Sequence, residues 1–261
     1  MGVWSSGESY DSYVGRWSRL VAAGFVDWLD RPPGGSWLDV GCGTGALTGT
    51  VLSTAAPTDV VGLDASPEFV AHAARSLPDP RARFGLGDAR ALPVEDARFD
   101  TAVSGLMLNF VGERTTVLGE MRRAVRPGGV VAAYVWDYPD GMQLMSAYWD
   151  AVVDLDLGEP TSHEGIRFGF CRPEPLRAVS TAAGLADVDT TELVVPTDFR
   201  DFDDFWAPFL GGTGAAPAHL ASLPPDRQTA LRDAVRDRLP AEPDGSIHLT
   251  ARAWAVRGTA P

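Results

Sequence analysis

The sequence predicts an α/β fold, a parallel sheet with helices on both faces. Three observations carry that prediction. Short apolar runs alternate with helix-period segments from residue 36 to residue 136. A glycine-rich loop, Gly41-Cys42-Gly43-Thr44-Gly45, joins the first apolar run to a helix. The second and third runs end at an acid or just before one, Asp64 and Asp88.

Each element has its own signal. Tyr10, Tyr13, Trp17, Leu20, Val21, Gly24, Phe25 and Trp28 recur at three- and four-residue spacing, which predicts an amphipathic helix over 8–30. Arg31-Pro32-Pro33-Gly34-Gly35 stops it. Residues 36–40 read as a buried strand, and 46–54 as a helix. A second strand covers 60–64, followed by Ser66-Pro67-Glu68, a capping serine with proline in the first turn. Strands over 83–88 and 99–104 flank a turn, and a helix covers 113–125. Arg126-Pro127-Gly128-Gly129 is expected to end that helix sharply before a fifth strand over 130–136.

The second half is less regular. Helices are predicted over 143–155, 173–184, 201–210 and 225–239, and strands over 188–199 and 246–257. His219 is expected in a Pro/Ala loop.

Composition excludes several function classes. The 261 residues are enough for a sizeable core without a disulfide or metal staple. All 22 basic residues are arginine, set against 35 acids, for a net charge of −13. Without lysine there is no Schiff-base lysine and no phosphate loop of the Walker type. The acidity argues against nucleic acid as a partner. Two cysteines and four histidines show no metal-ligand spacing, so no metal is expected. Two free thiols fit a reducing compartment. No apolar run nears the roughly 20 residues of a membrane helix. The N-terminus lacks the order of a signal peptide. A soluble, cytoplasmic protein is expected.

The glycine loop lets a ligand approach the main chain, and the following helix offers free N–H groups. Asp64, 23 residues after Gly41, sits where an acid accepts ribose hydroxyls. An adenosine-containing ligand is implied. Gly41-x-Gly43-x-x-Ala46 also satisfies the loose dinucleotide fingerprint, so a nicotinamide-dependent oxidoreductase stays open on this loop alone.

The wider run is more specific. Leu38-Asp39-Val40-Gly41-Cys42-Gly43-Thr44-Gly45 resembles the first motif of class I S-adenosylmethionine-dependent methyltransferases. Val61 to Ser66 resembles their second motif, and Gly87 to Pro93 with Phe99-Asp100 the third. Leu118-x-Glu120-Met121-x-Arg123-x-x-Arg126-Pro127-Gly128-Gly129 resembles the element before the fifth strand. The group it most resembles is the type 11, UbiE-like small-molecule methyltransferases, over residues 10–136. That resemblance implies a Rossmann-like, doubly wound sheet of seven strands, the last antiparallel, with helical cap elements. It implies a single domain, with 1–136 binding the cofactor and 137–261 supplying cap insertions and the last strands.

The resemblance also implies roles. Asp39 would orient the loop, and Gly41, Gly43 and Gly45 would line the methionine and ribose. Asp64 would bind the ribose hydroxyls and Ala65 pack on the adenine. Asp88 and the Ala89 N–H would recognise the adenine edge. Ser104, with Gly105, would place carbonyls near the sulfonium, and Asn109 and Phe110 would shape the mouth. Arg16, with Tyr13, would meet the cofactor carboxylate. Methyl transfer from a sulfonium needs a base only when the nucleophile must lose a proton. His163, in the expected cap, is the candidate general base. S-adenosylmethionine is thus the expected cofactor and a small molecule the acceptor. A protein that binds the cofactor without transferring methyl would carry the same motifs.

Charge is unevenly spread. Residues 1–136 carry 12 arginines against 15 acids, and residues 137–261 carry 10 against 20. The acidic second half favours a neutral or cationic acceptor over a polyphosphorylated one. The sequence leaves oligomeric state open.

Overall fold

A computed structural model describes residues 16–158, 163–211 and 214–261, with the Arg16 side chain outside that set. Tyr13 and the Arg16 side chain, both expected at the cofactor, therefore lie outside the described residues.

The first half alternates as expected. Helix α1 (Arg16–Leu29) precedes β1 (Ser36–Val40), then α2 (Ala46–Thr54) and β2 (Asp59–Asp64). Helix α3 (Pro67–Ser76), β3 (Ala82–Leu86), β4 (Phe99–Gly105), α4 (Arg114–Ala124) and β5 (Val125–Trp136) follow. The second half holds α5 (Gln143–Asp154), α6 (Glu164–Arg167), α7 (Pro173–Ala182) and β6 (Ala186–Phe199). It continues through α8 (Phe202–Trp206), α9 (Ala215–Ser222), α10 (Pro225–Arg238) and β7 (Ile247–Thr259).

The sheet has seven strands in the order β3-β2-β1-β4-β5-β7-β6. The pairs among β1 to β5 are parallel. β7 enters antiparallel: Gly128 N–H donates to Ala260 O, and Ala260 N–H donates back to Gly129 O. β1 is buried from Trp37 to Val40, as a central parallel strand covered on both faces must be. Helix α3 starts where Ser66 Oγ accepts the Phe69 N–H at 3.3 Å, with Pro67 in its first turn.

Two elements depart from expectation for identifiable reasons. β5 starts at Val125, so Arg126 to Gly129 lie inside the strand rather than before it. The bonds to Ala260 hold them there, with Gly128 at φ 78° and a register shift opposite Phe99–Thr101. His219 is on helix α9, not in a loop. Pro217 falls in that helix's first turn, where the missing N–H has no intrahelical partner to lose.

The chain forms two compact units that interleave along the sequence. The first comprises residues 18–135, 170–193 and 253–261. Its core gathers Val21, Phe25 and Leu29 of α1, Leu38 of β1, and Val117 and Met121 of α4. Arg257 packs 4.4 Å over the Trp28 ring and donates to its carbonyl. The second comprises the described residues among 16–17, 136–169 and 194–252. There Tyr148 stacks on Phe209 at 4.8 Å and meets Trp149 edge-on at 5.2 Å. Asp137, buried, pairs with Arg252 at 2.7 Å. Among the described residues no helix is long and apolar enough to cross a membrane.

Candidate functional site

The site is built where β1 gives way to the glycine loop, within the first unit. Gly41 takes φ 73°, and a Cβ there would lie 2.6 Å from Met107 Cγ. Both the turn and the close approach therefore require glycine. Gly45 leads into α2 at φ 90°, and a Cβ on it would strike Leu77 at 2.7 Å.

The loop is tethered to β2. The Gly41 and Cys42 N–H groups donate to Leu63 O at 2.8 and 3.0 Å. The Gly43 N–H donates to Asp64 Oδ2 at 2.9 Å, and the Ser66 N–H to Asp64 Oδ1 at 2.8 Å. Each Asp64 oxygen thus spends one acceptor position on backbone and keeps another.

A cleft of about 320 Å³ opens beside this tether. Gly41, Asp64 and Ala65 form one wall, Gly87 to Arg90 the second, and Met107 with residues 110–113 the third. Asp88 is gripped by Arg90, whose Nε reaches Oδ1 at 3.0 Å and Nη2 reaches Oδ2 at 2.8 Å. The hydrogen bonds from Arg90 hold the Asp88 carboxyl down at about 2. Arg90 also pairs with Glu113 across the cleft at 3.4 Å.

Asp39 lies beneath the loop, fully buried. Thr48 Oγ1 donates to its Oδ2 at 2.6 Å, while Oδ1 has no partner. Burial pushes the carboxyl up to about 7, opposed by the Thr48 bond and reinforced by the charge of Asp64. Burial raises the Cys42 thiol well above its ordinary range, which suits packing rather than nucleophilic chemistry.

Six of the expected residues meet around the cleft: Gly41, Asp64, Ala65, Asp88, Ala89 and Phe110. Gly43 and Gly45 shape the loop without lining it, and Asp39 supports it from below. Ser104 is buried and its hydroxyl donates to Val40 O at 2.8 Å, binding β4 to β1. Asn109 is buried too, with neither amide atom partnered. Its turn is held by Arg114, which donates to Leu108 O at 2.9 Å and packs 4.0 Å over Phe170.

His163 belongs to the second unit. Its Nδ1 accepts the Gly165 N–H at 2.9 Å, capping the short helix α6. The neutral ring then carries its proton on Nε2, 3.7 Å from Asp150. A role as base requires release of that cap. Sequence reasoning missed Arg90, Met107 and Glu113 on the cleft walls. Arg90 had one local signal, its spacing of two residues from Asp88. Met107 and Glu113 had none, because they reach the cleft only through the β1–β4 pairing.

The donor set fits an adenosine-bearing sulfonium. Carboxylates stand at the ends of two strands, the loop excludes a side chain where a ligand would approach, and a buried carboxylate oxygen lies unpaired below. A doubly wound sheet carrying this site is similar to that of class I S-adenosylmethionine-dependent methyltransferases. Residues 38–133 match the family model described as "Methyltransferase domain".

The chain is 35% identical over 186 residues to an uncharacterized 37.1 kDa protein in transposon TN4556 of Streptomyces fradiae, covering 65% of this chain and 54% of that protein. It is 31% identical over 178 residues to the 2-methyl-6-phytyl-1,4-hydroquinone methyltransferase of a Synechocystis species, covering 67% and 54%. The chain thus spans about half the length of these curated relatives. The crystal structure of YcgJ from Bacillus subtilis superposes with a TM-score of 0.59 at 19% identity, over 92% of this chain and 97% of that one. That likeness concerns the fold.

Proposed function

We propose that the protein transfers the methyl group of S-adenosylmethionine to a small-molecule acceptor by in-line displacement. One observation carries the reading: Gly41, Asp64, Ala65, Asp88 and Ala89, assigned to the cofactor from sequence, converge on one cleft. The cofactor, when bound, supplies an already activated methyl group. The chain's part is to hold and align it in a dry pocket. Asp64 offers its remaining lone pairs to the ribose hydroxyls, and Ala65 packs on the base. Asp39, through its unpaired oxygen, favours a cation above the loop. Met107 and Phe110 give one wall apolar surface.

The acceptor we infer is neutral or cationic. The hydroquinone named for the Synechocystis relative supports a neutral ring compound. The chain's net charge of −13 disfavours a polyphosphorylated acceptor. Two buried free thiols support placement in the cytoplasm.

A labelled-methyl screen over small hydroquinones, phenols and amines tests the reading, with products identified by mass. Transfer to one of them is expected. Tight binding of S-adenosylhomocysteine with no transfer would favour a cofactor-binding protein of other function. Stabilisation by NAD but not by S-adenosylhomocysteine would favour an oxidoreductase.

A further inference from the structure

Helices α8 and α10 of the second unit each turn one stripe toward a shared groove. Asp203, Trp206, Ala207 and Leu210, from α8 and the 3₁₀ turn after it (Ala207–Gly211), form one wall. Pro225, Gln228, Thr229 and Arg232 of α10 form the other. Both sets follow the i, i+3, i+4, i+7 spacing of a single helix face. Leu220 of α9 completes a cavity of about 470 Å³. It is larger than the cofactor cleft and shares no lining residue with it.

The lining is mainly apolar and its base is rigid. Trp206 is 5% exposed and Leu220 3%. The Trp206 ring is held among Phe202 at 5.9 Å, Phe209 at 5.3 Å and Tyr148 at 6.3 Å. Leu210, by contrast, is 67% exposed, and Ala207, Pro225 and Thr229 are exposed too. The groove therefore opens to solvent over a preorganised floor, and a ligand there loses little in ordering it.

Two hydrogen-bonding groups of the lining are unused and open. Among the described residues the Trp206 indole N–H meets no acceptor, and it is not one of the sealed polar atoms. Gln228 commits an amide N–H to Leu223 O at 2.9 Å, which leaves its carbonyl oxygen without a described partner and likewise unsealed. The charged pair is already matched. Arg232 Nη2 meets Asp203 Oδ1 at 2.7 Å, joining α10 to α8, and the guanidinium lies 5.1 Å over the Phe202 ring. The groove thus asks for no net charge in its occupant.

Size argues against a peptide helix. One turn of α-helix, ~10 Å across and ~5.4 Å long, fills roughly 420 Å³, so the groove takes little more than a single turn. Cavities of roughly 300–1,000 Å³ hold whole small molecules. We propose that this groove is a second small-molecule site, taking a neutral, flat, largely apolar molecule with an acceptor for the Trp206 N–H and a donor for the Gln228 oxygen. A ring compound bearing hydroxyl or carbonyl groups meets both needs, with its ring packed on Trp206, Leu210 and Leu220. This site stands apart from the reading of the cofactor cleft.

Fluorescence titration of naphthol tests this, with its methyl ether and naphthoate as competitors. Saturable binding of naphthol is expected in the wild type. The methyl ether, which cannot donate, should bind about threefold to tenfold more weakly, and the naphthoate anion should also bind more weakly than naphthol. Trp206→Phe keeps a ring and drops the N–H, so it should weaken naphthol by about threefold to tenfold. Thr229→Trp, at an exposed helix position, fills the groove and should abolish saturation while the chain melts with the wild type. Wild-type affinity in Thr229→Trp overturns the proposal, as does absence of saturable binding or tighter binding of naphthoate. Should Trp206→Phe lower the melting temperature, the Thr229→Trp result decides.

Discussion

Thr48 donates its hydroxyl to Asp39 Oδ2 at 2.6 Å, holding one oxygen of a carboxyl group sealed beneath the glycine loop while the other has no partner. The Asp39 carboxyl titrates at about 7 in the folded chain, against ~3.9 when unfolded. Between those values the folded chain holds a proton that the unfolded chain has released. Its contribution to stability is therefore complete below pH ~4 and declines as pH rises to about 7. The slope is at most about 1.4 kcal/mol per pH unit. Thermal melts of the wild type and Asp39→Asn from pH 4 to pH 8 should show this decline only in the wild type. Parallel pH profiles would count against it.

The contact between Gly41 and Met107 makes a second prediction. Gly41→Ala places a methyl 2.6 Å from Met107 Cγ and strains a φ of 73°. The left-handed conformation alone costs about 1–2 kcal/mol. S-adenosylhomocysteine affinity should fall about tenfold or more. Adding Met107→Ala relieves the clash but not the strain, so it should restore part of the loss. No coupling between the two substitutions would refute the contact's role.

Arg90 occupies the carboxylate expected to read the adenine edge. Freeing Asp88 by Arg90→Gln should tighten binding of S-adenosylhomocysteine by up to about fivefold, the scale of an exposed ion pair. An inosine analogue lacking the amino group should gain nothing. The Asp88 carboxyl, now at about 2, should move up toward the ordinary range, which NMR titration reads directly.

His163 offers a test of cap against base. Asparagine caps helices well and alanine does not, a difference of ~0.5–2 kcal/mol. His163→Asn should hold the melting temperature near wild type while His163→Ala lowers it. Methyl transfer should survive in the asparagine variant. Loss of turnover in both variants at unchanged stability would restore the histidine as a base.

The sequence made the first half legible because its signals are local. Burial on both faces gives β1 its continuous apolar run, and the acids at 64 and 88 sit at strand ends wherever the strands pair. The cleft's third wall was not legible, since Met107 and Glu113 arrive by a pairing 64 residues away in register, Trp37 with Thr101. Helix α9 was lost to Pro217, which reads as a breaker unless its place in the first turn is known. The capping bond of His163 depends on a backbone N–H, which side-chain chemistry does not announce.

β1 has neighbours acquired at different times. β2 pairs with it through residues 59–63, whereas β4 does so only at 101–103. As the chain leaves the ribosome, Leu63 can fasten the glycine loop long before Ser104 arrives to take the Val40 carbonyl. Through that interval the central strand carries a bare edge of unpaired N–H and C=O groups. Translation stalled between residues 64 and 99 would release fragments with an open template for strand addition, and the chain's first demand on a chaperone falls there.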